Sequence, residues 1–140
     1  MRLVIIGAGG HGQVIADVAQ QIGKYNEIIF LDDAAPVAAG KCADFDGFVD
    51  EATEFYVAFG NNIGRVEWLH KLVAAGAKLA VLVHPTAYVS PRAKLGGGTS
   101  VLPHAIVNTD VETGLGCIIN IGAIVDHRSI QKDRQRLLRD

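Results

Sequence analysis

A six-residue period in the second half of this chain constrains its fold more than any other feature. Val89, Leu95, Val101, Val107, Thr113, Ile119 and Val125 recur every six residues, and only Thr113 departs from aliphatic. Four residues after each of the first six stand Ala93, Thr99, Ala105, Val111, Cys117 and Ala123, all small or compact. Directly after the seven come Ser90, Gly96, Leu102, Asn108, Gly114, Asn120 and Asp126, mostly turn formers. Strands of a sandwich alternate with period two and have no reason to hold a period of six. The pattern predicts a triangular solenoid in which each hexad is one flat face plus a corner and three hexads close a coil. Residues 87–127 then supply a little over two coils of a left-handed parallel β-helix.

The first half has a different grammar. Arg2 to Ile6 is a short, β-branched apolar run ending at glycine, as a buried parallel strand does. Gly7-Ala8-Gly9-Gly10-His11-Gly12 follows, then a helix over 10–22 with Val14, Ile15, Val18, Ala19 and Ile22 inward and Gly23 as its stop. Glu27 to Leu31 reads as a second strand closed by Asp32-Asp33, and Phe55 to Phe59 as a third running into Gly60-Asn61-Asn62. A helix is predicted over 63–75 with Val66, Leu69, Leu72 and Val73 inward, and a last strand over 79–83. Residues 34–54 show no period and are read as irregular. Strands alternating with helices imply a small Rossmann-like parallel sheet, whose ligands sit outside the carboxyl ends of the strands. Glycines there let backbone N–H groups approach a phosphate, and Asp32 stands where a carboxylate can meet a ribose or a base.

Composition narrows the function classes. A net charge of -2 with 20% charged residues gives no electrostatic case for nucleic acid or a membrane surface. No run approaches the ~20 apolar residues of a spanning helix. Cys42 and Cys117 lie far apart and in no metal spacing, so free buried thiols, a reducing cytoplasmic location and no metal are expected.

A small α/β unit opening on a Gly-Gly-His-Gly turn, followed by hexapeptide coils, resembles the PglD/NeuD-like sugar O-/N-acyltransferases. The residues that carry the resemblance are Gly7 to Gly12, Phe30-Leu31-Asp32-Asp33, Phe59-Gly60-Asn61-Asn62, His84-Pro85 and Asn120 to His127. The resemblance implies an acetyl-CoA-dependent acyltransferase acting on a nucleotide-linked amino sugar or a sialic acid. It implies a homotrimer with acetyl-CoA, as co-substrate, between neighbouring solenoids. It makes Gly9, Gly10, His11, Gly12, Asp32, Asp33 and Asn61 nucleotide-sugar contacts and His127 the catalytic base. Histidine suits that role because its ordinary pKa lies near the operating pH. His70, His84 and His104 have no such context.

The family pattern breaks after His127. Arg128 stands where the family has an acid that orients the imidazole, and Gln131 and Lys132 interrupt the hexad. Residues 133–140 read as a short basic helix. The expected organisation is therefore an α/β domain over 1–84, an incomplete β-helix over 85–127 and a non-family tail over 128–140, in a C-terminally truncated relative. Two other function classes stay open. One is a non-catalytic nucleotide-sugar-binding module, because the α/β half is the more complete. The other is an NAD-dependent oxidoreductase, which rests on the G-x-G-x-x-G match alone and has the hexads against it.

Overall fold

The computed structural model of the protein describes residues 1–59, 61–131 and 136–137. The chain divides into two compact units, Met1–Ala80 and Val81–Asp140.

The first unit runs β1 (Arg2–Ile6), α1 (Gly10–Ile22), β2 (Glu27–Leu31), a 3-10 helix (Cys42–Phe48), β3 (Thr53–Val57), α2 (Asn62–Ala74) and β4 (Lys78–Leu79). All four strands are parallel in the order β2-β1-β3-β4. Leu3, Val4, Ile5 and Ile6 are fully buried, as a strand covered on both faces must be. On α1, Gly12, Ile15, Val18 and Ala19 are buried, whereas Val14, expected inward, is 40% exposed. On α2, Arg65, Leu69 and Leu72 are buried and Val73, also expected inward, is 51% exposed. The reason is the same in both helices. A helix lying on a nearly flat sheet buries a narrow stripe, and residues one position round from it point outward. The segment read as irregular holds the 3-10 helix, whose Phe45 and Phe48 pack against the core around Val4, Phe55 and Leu72.

The strand expected over 79–83 is two strands. Lys78–Leu79 pairs with β3, and Leu82–Val83 (β5) pairs instead with the first rung of the second unit. Ala80 N–H ends the first sheet on Phe55 O at 2.8 Å, and Leu82 N–H opens the next on Thr99 O at 3.0 Å.

The second unit continues with β6 (Tyr88–Val89), β7 (Ser100–Val101), β8 (Ile106–Val107), β9 (Glu112–Thr113), β10 (Ile118–Ile119), β11 (Ile124–Val125), β12 (Ile130–Gln131) and β13 (Arg136–Leu137). These two-residue strands form three parallel sheets, ordered β5-β7-β10-β13, β6-β8-β11 and β9-β12. Leu82, Ser100, Ile118 and Arg136 pair in succession, so one coil takes 18 residues. Val101, Ala105, Val107, Val111, Ile119, Ala123 and Val125, the aliphatic and compact hexad positions, make one buried core. Thr113 fits because its hydroxyl accepts from Gly96 N–H at 2.9 Å and meets the Thr99 hydroxyl at 3.3 Å.

The corners explain the rest of the hexad. Most are four-residue turns closed by a backbone hydrogen bond, among them His84–Ala87, Gly96–Thr99, Leu102–Ala105, Asn120–Ala123 and Asp126–Ser129. The third turn residue has positive φ at corner after corner: Gly98, His104, Asp110, Gly116, Gly122 and Arg128, again six residues apart. At that residue the backbone N–H reaches the corner one coil earlier, as from Gly122 to Pro103 O and from Arg128 to Thr109 O, both 3.0 Å.

Arg128 therefore does not end the coil. It occupies a left-handed corner, φ 62°, that its neighbours often fill with glycine. An L-residue pays roughly 1–2 kcal/mol there, partly offset by the backbone entropy that glycine loses on folding. Arg128→Gly is expected to raise stability by about 0.5–1 kcal/mol, read as a higher melting temperature; a lower one would contradict the corner assignment.

The expected loss of period after His127 is likewise corrected. Ile130–Gln131 pairs with Glu112–Thr113, and Arg136–Leu137 pairs with Ile118–Ile119, both in hexad register. Backbone pairing to the coil beneath carries the rung even where Gln131 replaces an aliphatic residue. The basic helix read over 133–140 is not formed at 136–137, and its other residues lie outside the described ones. Among the described residues no helix is long and apolar enough to cross a membrane.

Candidate functional site

In the first unit the chain leaves β1 for β2 on one side and returns to β3 on the other. The carboxyl ends of β1 and β3 thus form the switch point where open parallel sheets bind ligands. Gly7 closes β1 with φ 108°, and a Cβ on it would lie 3.3 Å from the Phe59 ring. Gly12 sits on α1 directly over that turn, where a Cβ would lie 2.2 Å from Gly7 O. The glycine at 12 is a packing requirement. Gly9 and Gly10 are different, since a Cβ on either meets nothing within 4 Å. Gly9 is the N-cap of α1 and carries no side-chain cap, so the first-turn N–H groups face the sheet edge with their partial positive charge.

Asp32, Asp33, His11 and Asn61 are brought to the same edge, each with a bond inside the protein. Asp32 Oδ2 accepts from Ala8 N–H at 2.8 Å, and Oδ1 accepts from Ala34 and Ala35 N–H at 2.9 and 3.0 Å. Its carboxylate pins the glycine turn to the loop after β2. Asp33 Oδ1 accepts from Cys42 N–H at 3.0 Å, holding the start of the 3-10 helix. His11 Nε2 lies 3.1 Å from the hydroxyl of Tyr56, a buried β3 residue. Asn61 is the N-cap of α2, its Oδ1 accepting from Gly64 N–H at 2.7 Å. Burial, then the charges of Asp33 and Asp32, push the Cys42 thiol up to about 11, so this cysteine is no nucleophile at neutral pH.

The hydrogen bonds from Ala8, Ala34 and Ala35 hold the Asp32 carboxyl below the usual carboxylate range. A group depressed on folding stabilises the fold above its unfolded pKa of about 3.9 and loses that contribution as pH falls through its folded value. Asp32→Asn is therefore expected to melt below wild type at neutral pH, with the gap closing as pH falls below about 4. Parallel melting curves against pH would show that the bonds do not depend on charge.

His127 is in the second unit, second residue of the corner Asp126–Ser129. Its side chain is 58% exposed. The Asp126 Oδ1 accepts from His127 backbone N–H at 2.7 Å and lies 2.9 Å from its Nδ1. These bonds, the backbone one foremost, hold the Asp126 carboxyl below the ordinary range, with a further contribution from the Asn108 side chain one coil earlier. A carboxylate at that distance accepts from Nδ1 when that nitrogen carries the proton. Arg128 was expected to leave the imidazole without an acid beside it; the Asp126 carboxylate, on the other side of the histidine in sequence, lies there. Asp126 and Tyr56 are the two contacts that the sequence did not reveal. An Asp at a turn start is a visible signal for the first, and nothing in the pattern marks the second. Of the other histidines, His84 is buried and accepts from Thr86 N–H in its own corner, and His104 is a left-handed corner residue. Among the described residues no group of His, Cys, Asp or Glu is placed to hold a metal.

A parallel α/β unit with a glycine turn at its switch point, followed by a coil of six-residue rungs with a corner histidine, defines a class of hexapeptide-coil transferases. Residues 2–72 match the family model for the PglD N-terminal domain. The chain belongs to the PglD-like acetyltransferase family. It is 37% identical to the acetyltransferase domain of PglB from Neisseria gonorrhoeae, covering 96% of this chain and 69% of that one with a TM-score of 0.92. The same domain is also known in complex with acetyl coenzyme A. PerB from Caulobacter crescentus, solved with CoA and GDP-perosamine, is 32% identical over 91% of this chain and 63% of its own, with a TM-score of 0.78. A UDP-N-acetylbacillosamine N-acetyltransferase of Bacillus subtilis is 32% identical over 110 residues, 72% of this chain. The chain spans about half, 51%, of that relative's length.

Proposed function

We propose that this chain carries the sugar-binding unit and the base-bearing coils of an acetyl-CoA-dependent N-acetyltransferase acting on a nucleotide-linked amino sugar. The observation that carries this reading is His127, exposed at a corner with its Nδ1 on an ionised carboxylate. Gly9 and Gly10, with the α1 N-terminus, receive the diphosphate of the nucleotide, Gly12 lets α1 lie close over that turn, and His11, Asp32, Asp33 and Asn61 line the same edge. In the transfer step the sugar amine attacks the thioester carbonyl and a C–N bond forms. Nε2 of His127 takes the amine proton as the C–S bond breaks, and the departing CoA thiolate is protonated in turn.

The coils are read as a left-handed parallel β-helix, supported by the 18-residue coil and the likeness to the Neisseria domain. A homotrimer is proposed for the same unit. Its support is a column of outward apolar residues, Tyr88, Ile106 and Ile124, aligned on adjacent rungs of the β6-β8-β11 sheet and 55%, 40% and 61% exposed. A stripe of this kind is what a copy of the same chain covers.

The test is thiol release from acetyl-CoA on addition of a UDP-linked or GDP-linked amino sugar, with the product checked by mass for one acetyl group on nitrogen. Release dependent on the amine supports the reading. No release with either sugar, from folded protein, would leave a binding module.

A further inference from the structure

We infer that Asp126 is the positioning residue for His127. The inference rests on the proposed role of His127. Asp126 begins the corner, so its side chain folds forward over its own turn. One oxygen, Oδ1, takes both the backbone N–H of His127 at 2.7 Å and lies 2.9 Å from the ring Nδ1. The first bond fixes where the carboxylate sits, and the second fixes the ring against it. Asn108 occupies the same corner position one coil back, its N–H bonded to Val125 O at 3.0 Å, and its side chain bonds to Asp126.

The neighbouring charges do not take this place. Arg128, next along the corner, is exposed, and its left-handed backbone is committed to Thr109 O at 3.0 Å. Asp110, on the preceding coil, is occupied by a two-pronged bond from Arg92 at 3.0 and 2.9 Å. Asp126 is therefore the carboxylate that directs the ring. Its consequence is chemical. An isolated neutral imidazole favours the proton on Nε2, which would block the atom needed as base. An anion at Nδ1 reverses that preference and leaves Nε2 open.

Nitrogen NMR of the full chain at about pH 8, where an ordinary histidine is neutral, reads the tautomer directly and requires no substrate. Wild type is expected to show Nδ1 protonated and Nε2 unprotonated. Asp126→Asn keeps an oxygen for the backbone N–H and loses the charge, and Asp126→Ser likewise keeps a turn acceptor. Both are expected to move the population towards protonated Nε2. In turnover, Asp126→Asn is expected to lower kcat about 10–100-fold, with KM for acetyl-CoA and sugar changed by no more than about twofold. An unchanged tautomer in both folded variants would overturn the inference. A changed tautomer in a protein that releases no thiol would leave the positioning intact and remove the transferase reading instead.

Discussion

Replacement of His127 by asparagine is expected to lower kcat for acetyl transfer by about 10²–10⁴-fold, the usual contribution of a positioned general base. KM for both substrates is expected to stay within about twofold, because the amide occupies similar space and the loss falls only on the transition state. The fold gives little reason for a stability change. His127 is exposed, and its backbone bond to Asp126 does not depend on the ring. A variant that melts with wild type but has lost its rate would place the histidine in the chemistry. A rate within threefold of wild type would return it to the surface residues that corner positions usually hold. The effect differs from that of Asp126→Asn in kind. The asparagine at 127 removes the proton acceptor, whereas the asparagine at 126 leaves it present in the wrong tautomer.

Gly12→Ala is expected to be the most damaging single methyl group in the first unit. The new Cβ would sit 2.2 Å from Gly7 O and 3.1 Å from Gly7 C, both backbone atoms of a turn that Asp32 has already pinned through Ala8. Neither partner can rotate away, so α1 must lift from the sheet and disturb Ile15, Val18 and Ala19. Overpacking of this kind costs about 1–3 kcal/mol or more, and for a unit of this size each kcal/mol is roughly 4–8 °C of melting temperature. Gly9→Ala and Gly10→Ala meet open space and are expected to shift stability by less than about 1 kcal/mol. These two reach the sheet edge instead, so their expected loss is in nucleotide-sugar affinity. Thermal melts of the three variants beside a UDP titration separate the roles. If Gly9→Ala and Gly10→Ala bind as wild type does, the glycine turn is a packing device throughout.

The legible part of this molecule was the part governed by period. Hexads from Val89 to Val125 located the rungs because an inward aliphatic residue is needed once per face, and the structure adds Val83, Gln131 and Leu137 in the same register. The bounds of β1, α1 and β2 followed from an apolar run, a helical stripe and their glycine stops. Position 128 was misread for a physical reason. A left-handed corner is a backbone property, and Arg128 carries no sign of it, whereas Gly98, Gly116 and Gly122 do. The split at Ala80 was hidden because Leu79 and Leu82 are equally apolar, and only the partner strand tells which sheet each joins. For the candidate site, the residue types were visible and their engagements were not. Asp32 reads as a ribose acid, yet its oxygens also carry three backbone bonds. His127 reads as a base and Asp126 is visible before it, but the sequence alone does not show that the carboxylate folds forward onto the ring Nδ1.

A calorimetric titration of the purified full chain with acetyl-CoA requires no choice of sugar and decides whether the coils hold the coenzyme. Saturable micromolar binding is expected, retained in His127→Asn, because the base acts on the amine and not on the coenzyme. A folded protein that binds a nucleotide sugar but no acetyl-CoA would contradict the transferase reading, and would make the chain a sugar-nucleotide-binding module with a histidine that transfers nothing.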